Sequence, residues 1–330
     1  MLRRLATSRW VKVGLLAVAL GFCGYGLAAQ RAEVATALHQ LVWGSVAGAV
    51  VAGIVGLGCM MLAWRTVVSD LGSHLPLRAA TRVMFISQLG KYVPGAVWVT
   101  AAQVELGREH LVPRQRSATA SVLAMLITLA TGLLVAAVTL PLSSGNAVRH
   151  YWWALALAPP ALIGLYPPLT NYVLNRVLRL ARRPPLERRL SGAGMAKAVA
   201  WSLLGWAFFS VHAWLLVADL TGKGANVLPI AAGAYALAWS VGFVLIPFPG
   251  GVGPRELAFI AALAPVMPRG SAIVVAVVSR LVLTIADLAW AALAFALGRG
   301  MRASPAGQPA GPGPAPAPDP AAPIQDTVPG

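Results

Sequence analysis

The stretch ISQLGKYVPGAVWVTAAQ, Ile86 to Gln103, decides how this chain is read. Apolar sequence surrounds it, yet it carries a lysine, a tyrosine and the Pro94-Gly95 pair. Proline removes an amide donor and interrupts a helix, so the backbone groups freed there need protein or water around them rather than lipid. A second interruption, IPFPGGVGPRE from Ile246 to Glu256, stands in the other half of the chain. Two such breaks set in apolar sequence predict an all-α polytopic membrane protein with two broken helical segments.

Composition supports the same class. Hydrophobic residues make up 58% of the chain and charged residues 11%, and several apolar runs reach the roughly 20 residues that cross a bilayer. The formal net charge is +16, but the basic residues fall in short clusters between apolar runs, which is a topology signal and not a nucleic-acid-binding face. Cys23 and Cys59 both lie inside apolar runs, which excludes a disulfide framework. The histidines at 39, 74, 110, 150 and 212 lack metal-ligand spacing, and no nucleophile stands beside a base. No catalytic residue, metal or cofactor is therefore expected, and no enzyme activity.

The basic leader MLRRLATSRWVK precedes Val13 to Ala29, which reads as an uncleaved first span, with cleavage after Leu27-Ala28-Ala29 as the alternative. Further spans are expected at Leu41–Trp64, Ser117–Leu140, Tyr151–Leu169, Ala196–Ala218 and Ser271–Leu297. The fourth of these six carries Pro159-Pro160 and Pro167-Pro168 and should bend. Arg82 to Gly107 is too short for two crossings and predicts a re-entrant hairpin around the first break. Leu228 to Ile246, followed by a short arm from Pro254 to Ala264, builds the second broken segment. The count is about six full spans plus two broken segments, or six to eight membrane helices, because Leu228 to Ile246 is long enough to cross alone. Gln30–Gln40 and Arg176–Arg189 read as loops. Residues 1–302 form the membrane domain, with halves of about 11–141 and 151–298 in opposite orientation. Residues 303–330, rich in Pro, Ala and Gly, are expected to be a disordered tail. Lys and Arg gather in alternate loops, which places both termini in the cytoplasm and the protein in the cytoplasmic membrane.

The chemistry-bearing residues sit at the breaks and in the last span. Gly250, Gly251 and Gly253 precede Pro254, and a glycine-rich turn before a helix start offers free N–H groups to an anion, with Arg255 adding full charge and Glu256 following. A glycine hinge in which Arg255 and Glu256 neutralise each other is the alternative. Lys91 and Tyr92 flank Pro94 and Gly95 in the same way, with Trp98 just beyond; a snorkelling lysine and an interfacial tryptophan are the plainer account. Arg280 and Asp287 lie within the last span, two turns apart on one helical face. Each costs about 2.5–3.5 kcal/mol at a helix centre, so both should face the bundle interior, as a site or as a structural ion-pair network. The expectation is a shared anion site: Lys91, Arg255 and Arg280 supply positive charge where the breaks meet near mid-membrane, and Glu256 and Asp287 limit it. Broken helices in matching positions of two inverted halves are a transporter pattern.

The motifs QLGKYVPGAVW (Gln88 to Trp98) and PFPGGVGPRE (Pro247 to Glu256) together resemble the lysylphosphatidylglycerol synthase transmembrane-region family over roughly Leu15 to Gly298. That family includes the flippase half of the multiple peptide resistance factor and stand-alone members. The resemblance implies a membrane protein that handles phospholipid or polyprenol-linked lipid within the bilayer. Synthase members continue into a soluble aminoacyl-transferase domain, whereas Pro/Ala-rich sequence follows Ala303 here, so lipid aminoacylation by this chain alone is not expected. A lipid or lipid-linked glycan translocase is one implied function. A membrane-embedded accessory subunit working with a separate soluble transferase is the other.

Overall fold

The computed structural model describes residues 31–92, 98–143, 155–180, 188–244 and 253–302. The first expected span and the expected tail lie outside them. The described residues are helical, with no strand, and form an all-α polytopic membrane protein. After α1 (Arg31–Gln40) come the long α2 (Trp43–Asp70), the arms α3 (Leu77–Gln88) and α4 (Trp98–Arg108), and the long α5 (Arg114–Thr139). Then α6 (Ala158–Gly164) and α7 (Pro167–Leu180) lead to the long α8 (Gly192–Thr221), the arms α9 (Leu228–Val244) and α10 (Pro254–Leu263), and the long α11 (Arg269–Arg302). Among the described residues five segments are long and apolar enough to cross a membrane: α2, α5 with the short turn after it, α8, α9 with the short turn before it, and α11. Leu228–Val244 has 17 residues and reaches spanning length only together with the Gly224–Val227 turn, and Leu245 and Ile246 lie outside the described residues.

Three expectations need correction. Residues 31–40 are helical, not a loop, and α7 carries helix through Leu180 into the segment expected to be the basic loop. Tyr151–Leu169 does not supply one continuous helix: among its described residues α6 stops at Gly164 and α7 starts afresh at Pro167. Proline cannot donate to the preceding turn, so it restarts a helix more readily than it continues one.

The core is a crossing of α2 and α8, which run antiparallel. Asp70 at the end of α2 accepts the Ser191 N–H (2.6 Å) and hydroxyl (2.8 Å) at the start of α8. Asp219 near the end of α8 accepts the Val42 N–H (3.0 Å) and the Ser45 hydroxyl (2.9 Å) at the start of α2. Each carboxylate thus satisfies amide donors that a helix start leaves over, and lies at the positive end of the other helix. Between these caps the backbones touch. A Cβ on Gly56 would stand 2.7 Å from the Phe209 ring, and one on Gly205 would meet Met60 at 2.9 Å and the Gly56 carbonyl at 3.2 Å. Gly48 also faces α8, where an added Cβ would come within 3.1 Å of the Leu215 side chain.

The same interval along the chain separates Val42 from Ser191, Gly56 from Gly205, Met60 from Phe209 and Asp70 from Asp219. The packing around the crossing is paired in the same sense: α3 lies on α11 and α9 on α5, α4 on α5 and α10 on α11, α2 on α11 and α8 on α5.

Candidate functional site

The first arm pair enters and leaves on one side of the bundle. Arg82 on α3 pairs with Glu109, just past α4, at 3.0 Å, and Arg116 at the start of α5 donates to the Gly72 carbonyl (3.0 Å) and the Ser73 hydroxyl (2.8 Å). Arg65 on α2 donates to the Leu75 carbonyl at 2.8 Å, closing the same end. Where described, the two arms between Arg82 and Gly107 therefore begin and end at one end of the bundle, as the expected re-entrant hairpin would. Phe85 on α3 stacks on Trp290 of α11, with centroids 4.3 Å apart and planes 7° apart, and the Trp290 indole donates to the Ile54 carbonyl of α2 at 2.8 Å. This stack holds the arm against α11 and carries its end inward. There, in a 3₁₀ turn over Leu89–Tyr92, Lys91 sends its Nζ to within 2.5 Å of Asp287 Oδ2.

The second pair is built differently. Gly253 adopts φ +96°, a conformation that strains any residue with a Cβ, and this lets the chain turn directly into Pro254 at the first position of α10. Glu256, buried in that first turn, accepts the Gly253 N–H through Oε2 at 2.7 Å and takes Arg280 NH1 of α11 on Oε1 at 2.5 Å. Arg255 points elsewhere. It donates to the Tyr235 hydroxyl of α9 at 2.8 Å and holds its guanidinium 5.2 Å from the centre of that ring. Adjacent residues on a helix face directions about 100° apart, so the expected alternative of an Arg255–Glu256 pair is not formed.

The last helix therefore serves both breaks, with Asp287 facing the first and Arg280 the second. Two helical turns separate them, about 10 Å along the axis. Arg255 and Arg280 lie close enough to Lys91 to act on it electrostatically, so five charged groups form one cluster inside the bundle. Lys91 and Arg280 each face a carboxylate. Arg255 has no carboxylate partner among the described residues, which leaves the cluster one positive charge in excess. A small cleft lined by Arg255, Glu256, Phe259, Ala276, Ser279 and Arg280 opens beside that charge.

Lys91, Arg255, Glu256, Arg280 and Asp287 thus come together, with Gly253 supporting Glu256. Trp98 opens α4 half-exposed, and Gly90 packs against the Trp98 backbone, with a Cβ there only 3.1 Å from its carbonyl carbon. Tyr92 ends the 3₁₀ turn; Pro94, Gly95, Gly250 and Gly251 lie outside the described residues. No cluster of three metal-ligating side chains occurs among the described residues.

Two further polar contacts lie around the breaks. Tyr235, buried in the middle of α9, is the partner of Arg255; a lone tyrosine inside an apolar span was the signal available. Behind the first break a neutral polar cluster fills the space between arms: Gln103 Oε1 accepts from Ser121, its carbonyl accepts from Ser117 at 3.2 Å, and its amide reaches the Met84 sulfur at 3.1 Å.

A family model described as lysylphosphatidylglycerol synthase TM region matches residues 9–291, a stretch that contains both breaks and all five charged groups. No curated protein matches the chain.

Proposed function

This chain belongs to the lysylphosphatidylglycerol synthase TM region family, and from that premise we propose that it is a lipid or lipid-linked glycan translocase that receives an anionic head group between its two broken helices. The observation that carries the reading is Arg255: a half-buried cation beside a cleft, held by a tyrosine instead of a carboxylate. A neutral hydrogen-bond partner positions a guanidinium without cancelling its charge, and guanidinium groups bind phosphate oxygens in a planar, two-pronged way. The two ion pairs next to it, Lys91–Asp287 and Arg280–Glu256, make an intramembrane cation tolerable while leaving one positive charge for the ligand. Arms related as two inverted halves provide access from either face, with the breaks as the point where access changes. The lipid is a phospholipid or a polyprenol-linked lipid of the cytoplasmic membrane, and the basic end of the bundle faces the cytoplasm.

The test is transbilayer movement of labelled phospholipids and polyprenyl phosphates in liposomes holding the purified full chain. Movement with at least one anionic lipid, lost in Arg255→Gln while thermal unfolding in detergent stays unchanged, is the expected result. Unchanged movement in Arg255→Gln would sink the shared anion site. No movement with any lipid would turn attention to an accessory role beside a separate soluble transferase.

A further inference from the structure

Far from the breaks, α7 has three chemically distinct flanks, and two of them are exposed, without a partner among the described residues. The inner flank is fixed. Asn171 is buried, its amide donates to the Leu190 carbonyl at 2.9 Å and its Oδ1 accepts the Leu190 N–H at 3.1 Å, and Leu174 packs on the core cluster that contains Leu71, Leu75 and Leu190. At 100° per residue, Leu169, Val173 and Leu180 share a second flank, and all three are exposed. Tyr172, Arg176 and Arg179 share the third, also exposed. Among the described residues Arg179 bonds the Asn175 carbonyl, at 3.4 Å, and neither arginine meets a carboxylate. Arg182 and Arg183 follow in sequence.

The level of this helix is set by its anchor. Leu190 precedes Ser191, which is bound to Asp70 where α2 ends and α8 begins. That is the end of the bundle where Arg65, Arg116 and the Arg82–Glu109 pair also sit. A short helix at the end of the spans, with an aliphatic flank next to an Arg/Tyr flank, matches a helix lying in the plane of a leaflet, its aliphatic side toward the acyl chains and its cations among the head groups.

We propose that α7 is an interfacial anchor that binds the anionic phospholipid surface of the leaflet at the basic end of the bundle, through Arg176 and Arg179, with Leu169, Val173 and Leu180 immersed. The occupant is a bilayer surface, because an exposed aliphatic flank adjoins an exposed cationic one, and among the described residues neither arginine is neutralised by a carboxylate. This contact is separate from the anion site at the breaks.

The experiment uses the full chain in nanodiscs. For Arg176→Gln/Arg179→Gln, the preference for phosphatidylglycerol over phosphatidylcholine, read by native mass spectrometry of retained lipids, should weaken about 30-fold and lose its salt sensitivity. Arg176→Lys/Arg179→Lys, which keeps both charges, should retain the preference, and the loss in the double glutamine variant should be the same on an Arg255→Gln background, which separates this surface from the intramembrane site. A nitroxide on Val173→Cys should be reached by oxygen and shielded from a water-soluble nickel reagent. An unchanged lipid preference in the double arginine variant overturns the proposal. So does a water-exposed label at 173, or a label that reports contact with a second copy of the chain.

Discussion

At the first break Lys91 reaches across to an acid on α11, and the space behind it is filled by the neutral contacts of Gln103, Ser117 and Ser121. At the second break Glu256 serves its own backbone and a cation on α11, while Arg255 leans on a tyrosine. The helices around the two breaks pack in matching pairs, although α9 is longer than α3, and the charges at the two breaks are arranged differently. The first break borrows its counter-charge and the second carries one of its own. Both depend on one helix, so any shift of α11 past the arms alters both pairs together.

If that contrast holds, removing Glu256 is the heaviest loss. Glu256→Ala strips Arg280 and the Gly253 N–H of their partner at once and should cost about 3–5 kcal/mol of unfolding free energy, as breaking a buried pair does. Thermal or denaturant unfolding in detergent measures it. Glu256→Gln, which keeps an acceptor for Gly253, should lose visibly less; equal losses would mean that the cap contributes nothing.

Asp287→Ala tests the borrowed charge. Lys91 is only partly buried, so stranding it should cost less, about 2–3 kcal/mol. The double variant Lys91→Ala/Asp287→Ala should recover much of that loss, and failure to recover would show that Asp287 matters for something other than Lys91. The reciprocal caps supply the case where the halves should agree. Asp70→Ala and Asp219→Ala should each cost about 1 kcal/mol, the usual value of a helix-start cap, and a large inequality between them would break the pairing of the halves.

A shallow pH effect distinguishes the mouth of the first hairpin. His110 is partly buried and beside Arg82, and burial first, then that positive charge, lower its pKa below the ordinary value, with Glu109 opposing. The unfolded chain then binds a proton more readily than the folded one. Stability should be complete above the ordinary histidine pKa of about 6.5 and fall as pH drops below it, toward the lower folded value. His110→Gln should flatten the unfolding midpoint over that interval, and an unchanged slope would assign the effect elsewhere.

The charged members of the cluster were legible because an ion in apolar sequence has to be accounted for: Lys91, Arg255, Glu256, Arg280 and Asp287 stand out on that ground alone. Their pairing was not legible. Arg255 and Glu256 are neighbours in sequence but project in different directions, and Arg280 and Asp287 share a face yet answer to different arms. Tyr235 was hidden because a tyrosine fits an apolar span without demanding a partner. The helix at α7 was hidden by its arginines, which read as a basic loop, although Leu169, Val173 and Leu180 already carried helical spacing. Asp70 and Asp219 gave no sign of their partners, since each acts on a helix start more than a hundred residues away.

That last separation bears on how the protein is made. When α2 leaves the ribosome, the Val42 amide just before it is left to water; Asp219, its acceptor in the fold, lies 177 residues later. At 5–20 residues per second this interval lasts roughly 10–35 s. During it the first half sits in the membrane with an open helix end and an uncovered glycine face at Gly56. The central crossing closes only when α8 is complete, so the insertion machinery, or lipid, has to hold the first half until its mate arrives. Two separately expressed halves carry the same reciprocal ends, and they should assemble when made together in one cell.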